Sequence, residues 1–292
     1  MVSWTIERIK PAVSMMRIDM NRNSSWEQWG LLSSDRHFDN PMSKRSMQRR
    51  HLDMARERDA FILDFGDLFC AMQGKYDKRS SKRDVLPENQ REDYLDSLVD
   101  SGEKFFGEYS NLFAELGMGN HETSILDRHE TNLTERLVKR LKKHGSKAIL
   151  GGYRGWIILS FKDTKQSNFQ QSLNLYYTHG SNSNAPVTKG IIKTNRRSVW
   201  LPDANIIVSG HIHEAWLFPI PRSRITDHGN EYMDKQVHIQ LPTYKDEFFG
   251  ASTNSHHKQE RPPKPLGAWW LRFFFDRGEL SGRIKFEASQ AE

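Results

Sequence analysis

The 292-residue sequence has one cysteine, Cys70. No intramolecular disulfide can form, which fits a reducing compartment. No apolar run reaches the roughly 18 residues of a membrane-crossing helix, so no helical span is expected. The opening segment, MVSWTIERIKPAVSMM, lacks the uninterrupted apolar stretch of a secretion signal. These absences predict a cytoplasmic protein with no membrane partner. Internal repeats and low-complexity tracts are missing too, so no part reads as disordered.

What is present suits a folded α/β protein. Hydrophobic residues make up 36% and aromatics 11% of the chain, enough for a substantial core. Lys and Arg exceed Asp and Glu by 43 to 37. The excess clusters in KRSMQRR, KYDKRSSKR, ERLVKRLKKHGSK and KTNRR. Such clusters are either solvated faces or a contact surface for a polyanion such as nucleic acid.

Four short apolar runs of buried-strand length stop at Gly, charged or His residues. They are Trp29 to Ser34, Ala60 to Asp67, Leu173 to Gly180 and Ala204 to His213. Helices are expected between them. Ser43 is placed to cap one running to about Arg58. Leu95, Leu98, Phe105, Tyr109 and Phe113 form an apolar stripe over a second, from about Arg91 to Glu115, and Leu133, Leu137 and Leu141 a third. Beyond Gly145 the chain reads as strands, with KAILGGYRGWIILSF as a hairpin through Gly151 and Gly152, and three late strands in QVHIQLPTYK, AWWLRFFF and RIKFEA. Gln73 to Asn89, Ser181 to Ser198 and Gly250 to Pro265 read as flexible, and His256 and His257 in the last as solvated. The pattern predicts an α/β sandwich without a clear domain boundary.

Each apolar run ends in residues that bind metals. The first gives Asp35 and His37, the second Asp67, the third His179, and the fourth His211 and His213. The stretch GNHE adds Asn120, His121 and Glu122, after an expected helix and short turn. Ligands in open α/β sheets sit at the carboxyl ends of strands. In an extended segment, residues two apart project from one side, so Asp35 with His37, and His211 with His213, can each face one site.

The ordered set D-x-H, G-D, G-N-H-E, H and G-H-x-H resembles the calcineurin-like metallophosphoesterase superfamily, from Asp35 to His213. The resemblance implies a four-layer α/β/β/α sandwich of two mixed β-sheets flanked by helices, as a single domain over residues 1–292. It implies two divalent metal ions, Mn²⁺ favoured with Fe or Zn²⁺ as alternatives, and a metal-bridged hydroxide nucleophile. Asp35, His37, Asp67 and His213 would bind one ion; Asp67, Asn120, His179 and His211 the other. Imidazoles, carboxylates and an amide oxygen suit these ions better than Mg²⁺ alone, and no thiolate is expected at hand to favour a closed zinc site. His121 would stabilise the phosphate or protonate the leaving oxygen, with Glu122 orienting it. Arg36, lying between two ligands, is expected to point away, and Asp39 and Asp64 are candidates for supporting groups.

The resemblance departs in two places, after Gly66-Asp67 and after GNHE, where the Arg that follows in protein serine/threonine phosphatases is not matched at its position, although Arg128 lies further on. The run after Gly66-Asp67 is the apolar LFCAM, without the VDRG element of protein serine/threonine phosphatases. The expected substrate is therefore a phosphate ester other than a phosphoprotein, with DNA or a nucleotide diester ahead of a small monoester or pyrophosphate. A catalytically silent binding module that keeps the fold is the third reading.

Overall fold

In the computed structural model, the described residues are 4–22, 25–73, 84–165, 169–181, 188–248, 262–278 and 282–291. The KYDKRSSKR cluster and the pair His256 and His257 lie mainly or wholly outside them.

Among the described residues, thirteen strands form two sheets. One sheet takes β3 (Glu27–Ser33), β4 (Phe61–Asp64), β5 (Phe113–Leu116), β6 (Ile149–Leu150), β12 (Ala268–Asp276) and β13 (Arg283–Ala291), in the order β13-β12-β3-β4-β5-β6. Its partner takes β1 (Trp4–Lys10), β2 (Val13–Met20), β7 (Arg154–Asp163), β8 (Gln170–Thr178), β9 (Ile206–Ser209), β10 (Trp216–Ile225) and β11 (Glu231–Gln240), in the order β1-β2-β7-β8-β9-β11-β10. Both sheets are mixed: β3, β4, β5 and β6 run parallel, as do β8 and β9, while β12 and β7 pair antiparallel with β3 and β8.

Strand alternation decides the layers. Leu32, Phe61, Leu63, Leu271 and Phe273 face the other sheet and meet Ile157, Leu159, Leu175, Ile206 and Val208 in the central core. Their neighbours Leu31, Ile62 and Trp270 point outward, into a second core with Leu52, Leu98, Phe106 and Leu137. Those last four belong to α1 (Arg45–Glu57), α2 (Tyr94–Phe106) and α4 (Leu133–Lys143). On the far side, Tyr176 and Ile207 pack with Leu201 and Ala204 just beyond α5 (Ile191–Trp200). A strand buried on both faces reads as a near-continuous apolar run, and FILD and IIVS do. The four layers expected from the sequence are present.

Several local expectations are corrected. Ser43 does not cap α1; Lys44 holds the cap position, and the Ser43 hydroxyl donates to the Arg36 carbonyl at 2.7 Å. The stripe from Arg91 to Glu115 is three elements: α2, a 3-10 segment over Gly107–Leu112, and β5. Gly151 and Gly152 make no hairpin. β6 extends one sheet and β7 the other, so the glycines carry the chain across between sheets. Residues 191–200, within or just past a stretch read as flexible, form α5, and Pro87–Asn89 form a 3-10 turn. No helix of the described residues is long and apolar enough to cross a membrane.

Candidate metal centre

The parallel strands β3, β4 and β5 end side by side, and the loops leaving them are tied by backbone hydrogen bonds. Asp35 N–H donates to Gly66 O at 2.9 Å, His37 N–H to Asp67 O at 3.0 Å, and Gly117 N–H to Asp64 O at 2.7 Å. From the other sheet, His179 follows β8 and His211 and His213 follow β9; Gly210 N–H donates to His179 O at 3.1 Å. All seven expected ligands thus converge where the two sheets' strand ends meet.

They fall into two groups. Single ligand atoms of Asp35, His37 and His213 lie within 4.8 Å of one another, as do those of Asp67, His179 and His211. Asn120 joins the second group: its Oδ1 lies 2.7 Å from His211 Nδ1 and 3.1 Å from His179 Nε2. Asp67 Oδ2 stands 3.2 Å from His179 Nε2 and Asp35 Oδ1 3.1 Å from His213 Nε2.

The backbone achieves this differently from the sequence argument. Asp35, His37, Asp67, His211 and His213 all have positive φ, between 43° and 71°. Non-glycine residues rarely adopt that region, although Asp and His do so more readily than most, and such strain gathers at functional sites. The pairs two residues apart therefore meet at tight loop turns, not along extended strands.

Two glycines let the loops close. A Cβ on Gly119 would sit 2.0 Å from Asp67 Oδ1, and one on Gly210 would sit 2.1 Å from Ser34 Oγ. Gly119 starts α3 (Asn120–His129), so the helix N-terminus arrives against the Asp67 carboxylate, which accepts His121 N–H at 2.9 Å.

The supporting groups are buried and hydrogen bonded. His179 Nδ1 pairs with Phe65 O at 3.0 Å, which turns Nε2 toward Asp67. Ser34 Oγ and His211 N–H both donate to Asp35 Oδ2. Glu122 does not orient His121. Its carboxylate accepts the N–H groups of Asp67, Phe69 and Gly119 and so fixes the Asp67 loop against α3. His121 is instead held through Nδ1, 2.6 Å from the Cys70 carbonyl. Arg36 points away, as expected, into a buried ion pair with Asp64 at 2.7 Å. Asp39 accepts the N–H groups of Cys70 and Ala71.

Charge is concentrated here. Burial opposes ionisation of Asp67, yet His179 and His121 outweigh it and hold the carboxyl well below its usual range. Burial likewise disfavours a charged His179, but Asp67 and Asp35 push it up to about 10. Burial, then His121 and Lys245, keep His37 well below the normal imidazole range. A neutral imidazole beside anionic carboxylates is the donor set a dication takes. His37 adds a direct sign: it is 2% exposed, and neither ring nitrogen has a hydrogen-bond partner among the described residues. Buried polar atoms are rarely left so, and a bound ion would satisfy one of them.

Two neighbours escaped the sequence reading. Tyr153 lays its ring edge-on to His179, with centroids 5.4 Å apart, and donates to Gly180 O. Nothing in the sequence marks it. Cys70 corrects the expectation that no thiol lies at hand: its sulfur is within 4.8 Å of a ring nitrogen of His37 and of His121. Its place three residues after Asp67 was the available signal.

No protein-family model matches the sequence, and no curated protein does. Solved structures that match in fold include vacuolar protein sorting 29 from Cryptosporidium parvum, at 13% identity and a TM-score of 0.36, covering 91% of this chain and 100% of that one. Wild-type Vps29 complexed with Zn²⁺ from Entamoeba histolytica matches at 8% and 0.35, over 90% of this chain and 99% of that one. An uncharacterised predicted phosphoesterase from Streptococcus pneumoniae matches at 9% and 0.32, over 90% and 99%.

Proposed function

We propose that the chain is a metal-dependent phosphodiesterase with a dinuclear centre, acting on nucleic acid or a nucleotide diester. The observation that carries this is the pairing of two ligand groups, Asp35-His37-His213 and Asp67-His179-His211 with Asn120, at the meeting point of the sheets. Asp67 would be the carboxylate shared between them, since the imidazoles of His179 and His121 hold it anionic against the opposing effect of its burial. These residues would hold two dications, which would supply Lewis-acid neutralisation of the phosphoryl charge and an activated water for in-line displacement.

The chain's own groups do the rest. His121 donates Nδ1–H to the Cys70 carbonyl, which leaves Nε2 facing the centre, 3.7 Å from Asp67 Oδ2. A proton carried on Nε2 can pass to the leaving oxygen as the ester bond breaks. Glu122 fixes the Asp67 loop against the start of α3, the helix that carries His121.

A cavity of about 380 Å³ runs beside the site along α3, lined by Asn120, Thr123, Ser124, Asp127 and Arg128. It offers polar contacts to the part of the substrate beyond the reacting phosphate. The basic clusters now separate. On α1, Arg45 and Arg49 pair with Glu88 and Glu108; on α4, Arg136, Lys139 and Arg140 pair with Asp96, Glu135 and Glu103. On α5, Lys193, Arg196 and Arg197 have no carboxylate within ion-pair distance among the described residues, and Trp200 is exposed beside them. The Gly190 backbone that starts α5 packs on Ile212, between two of the histidines. A cationic helix with an aromatic next to the centre favours a polyanion with stacking bases.

The test compares bis-p-nitrophenyl phosphate with p-nitrophenyl phosphate on chelator-stripped protein reloaded with Mn²⁺. Diester preference is expected. Monoester preference would overturn the diesterase reading, and metal binding without turnover would make the chain a silent module.

A further inference from the structure

His37 belongs to two groups at once. It lies with Asp35 and His213, and also with Cys70 and His121, whose sulfur and ring nitrogen fall within the same 4.8 Å. All three members of this second group are buried. We propose that His37, Cys70 and His121 form an inhibitory position for thiophilic dications such as Zn²⁺ or Cd²⁺. It deepens the function argued above, because occupancy would take His37 from the hydrolytic centre and His121 from the leaving oxygen.

The thiol is positioned and not merely nearby. The Asp39 carboxylate accepts the N–H groups of Cys70 and Ala71, fixing the backbone on both sides of the sulfur. Asn40 Nδ2 approaches Sγ at 3.4 Å from that same loop. The Cys70 carbonyl holds His121 Nδ1, so the residue that carries the sulfur also aims the imidazole. Rings of His37 and His121 stand 4.9 Å apart, edge to face. His37, without a hydrogen-bond partner at either nitrogen among the described residues, has a lone pair to give.

Donor type sets which ion goes where. One sulfur and two imidazole nitrogens suit soft or borderline ions, whereas the Asp, Asn and His groups accept the harder Mn²⁺. Binding converts the thiol to thiolate: sulfur donates its lone pair to the metal, and its proton passes to solvent, with no oxidant involved. A neutral imidazole offers one lone pair, so His37 cannot serve both groups together. The hydrolytic arrangement and the sulfur-bound one therefore exclude each other.

The single cysteine makes the test clean. Metal-free full-length protein is titrated with Cd²⁺ while the ultraviolet thiolate-to-cadmium charge-transfer band is followed, for wild type, Cys70→Ser and Cys70→Ala. The wild type is expected to develop the band and release one more proton per ion than either variant. In parallel, Mn²⁺-loaded protein hydrolysing the diester is challenged with Cd²⁺, each variant normalised to its own rate. The inhibitory concentration is expected to rise about tenfold or more on loss of the thiol. No band in the wild type overturns the site. A band with equal Cd²⁺ sensitivity in wild type and variants overturns the inhibitory role. If Mn²⁺-loaded protein hydrolyses nothing, the proposed activity fails, and the spectroscopic titration still decides the site. Two variants of different size guard against a folding defect in one of them.

Discussion

Glu122 shows how a single side chain links helix and loop. Its two oxygens take three backbone N–H groups from Gly119, Asp67 and Phe69. Glu122→Gln keeps the size but replaces an acceptor oxygen with an N–H₂ that faces donors. A loss of about 1–3 kcal/mol is expected from the stranded donors, read by urea denaturation, with weaker metal binding alongside. His121→Asn is the contrasting case, since its ring reaches the centre through Nε2, 3.7 Å from Asp67 Oδ2. Fold and metal binding should persist while turnover drops on the order of 10²–10⁴-fold; undiminished turnover would remove His121 from the chemistry. Arg36 lies between two expected ligands yet points into a buried ion pair with Asp64. Arg36→Met strands Asp64, a carboxyl already pushed up by burial against the pull of Arg36. A cost of roughly 3–5 kcal/mol is expected, seen as a lower denaturation midpoint with the metal affinity little changed.

At the scale of elements, the loops after β3, β4 and β9 carry the site, and their geometry came from backbone strain that local sequence does not advertise. D-x-H and H-x-H were legible as ligand pairs. The reason given for their convergence, extended alternation, was wrong, because the left-handed turns at Asp35, His37, His211 and His213 turn the side chains inward. Those turns are stabilised by contacts between loops distant in sequence, such as His211 N–H with Asp35 Oδ2 at 2.8 Å. Gly119 is a point where two elements of the site touch closely. Gly119→Ala would drive a methyl group into the Asp67 carboxylate. Metal affinity is expected to fall on the order of 10–100-fold by calorimetric titration, with the circular dichroism of the helices and sheets retained. The misread stripe from Arg91 to Glu115 has a similar cause. Phe113 and Leu116 carry the same apolar signal in a strand as in a helix, and only pairing with Ile62 and Asp64 settles the matter.

Across the whole molecule, pH acts on stability through a histidine far from the site in sequence and role. His238 on β11 is 1% exposed, with Nε2 2.8 Å from Gln236 Oε1 and no partner for Nδ1 among the described residues. Burial first, then Arg197 and Arg222, push it down to about 4. Unfolded, it would titrate near 6.5, so between about 6.5 and 4 the unfolded chain takes a proton that the folded chain refuses. That stability is complete above the upper value and is lost as pH falls toward the lower one. His238→Gln should flatten this part of the profile by about 1–3 kcal/mol, measured as urea midpoints at neutral pH and at pH near 5. Salt tests the substrate class at the same scale. Hydrolysis of DNA guided by α5 should fall steeply as salt rises, while a small diester should be nearly indifferent.

The sequence alone marked the candidate ligands, their order and the strand ends that bear most of them, because all but those of GNHE stop a short apolar run and such runs declare buried strands. It also determined the layered α/β class, since apolar period and length are local properties. Only the tertiary structure decided that Gly151 and Gly152 cross between sheets, that Glu122 braces a loop, and that acidic residues of neighbouring elements pair with the arginines of α1 and α4. It alone brought Cys70 beside His37 and His121. Each of these depends on which distant backbone groups and charges meet, and that is fixed by packing two sheets face to face, a relation no local pattern encodes.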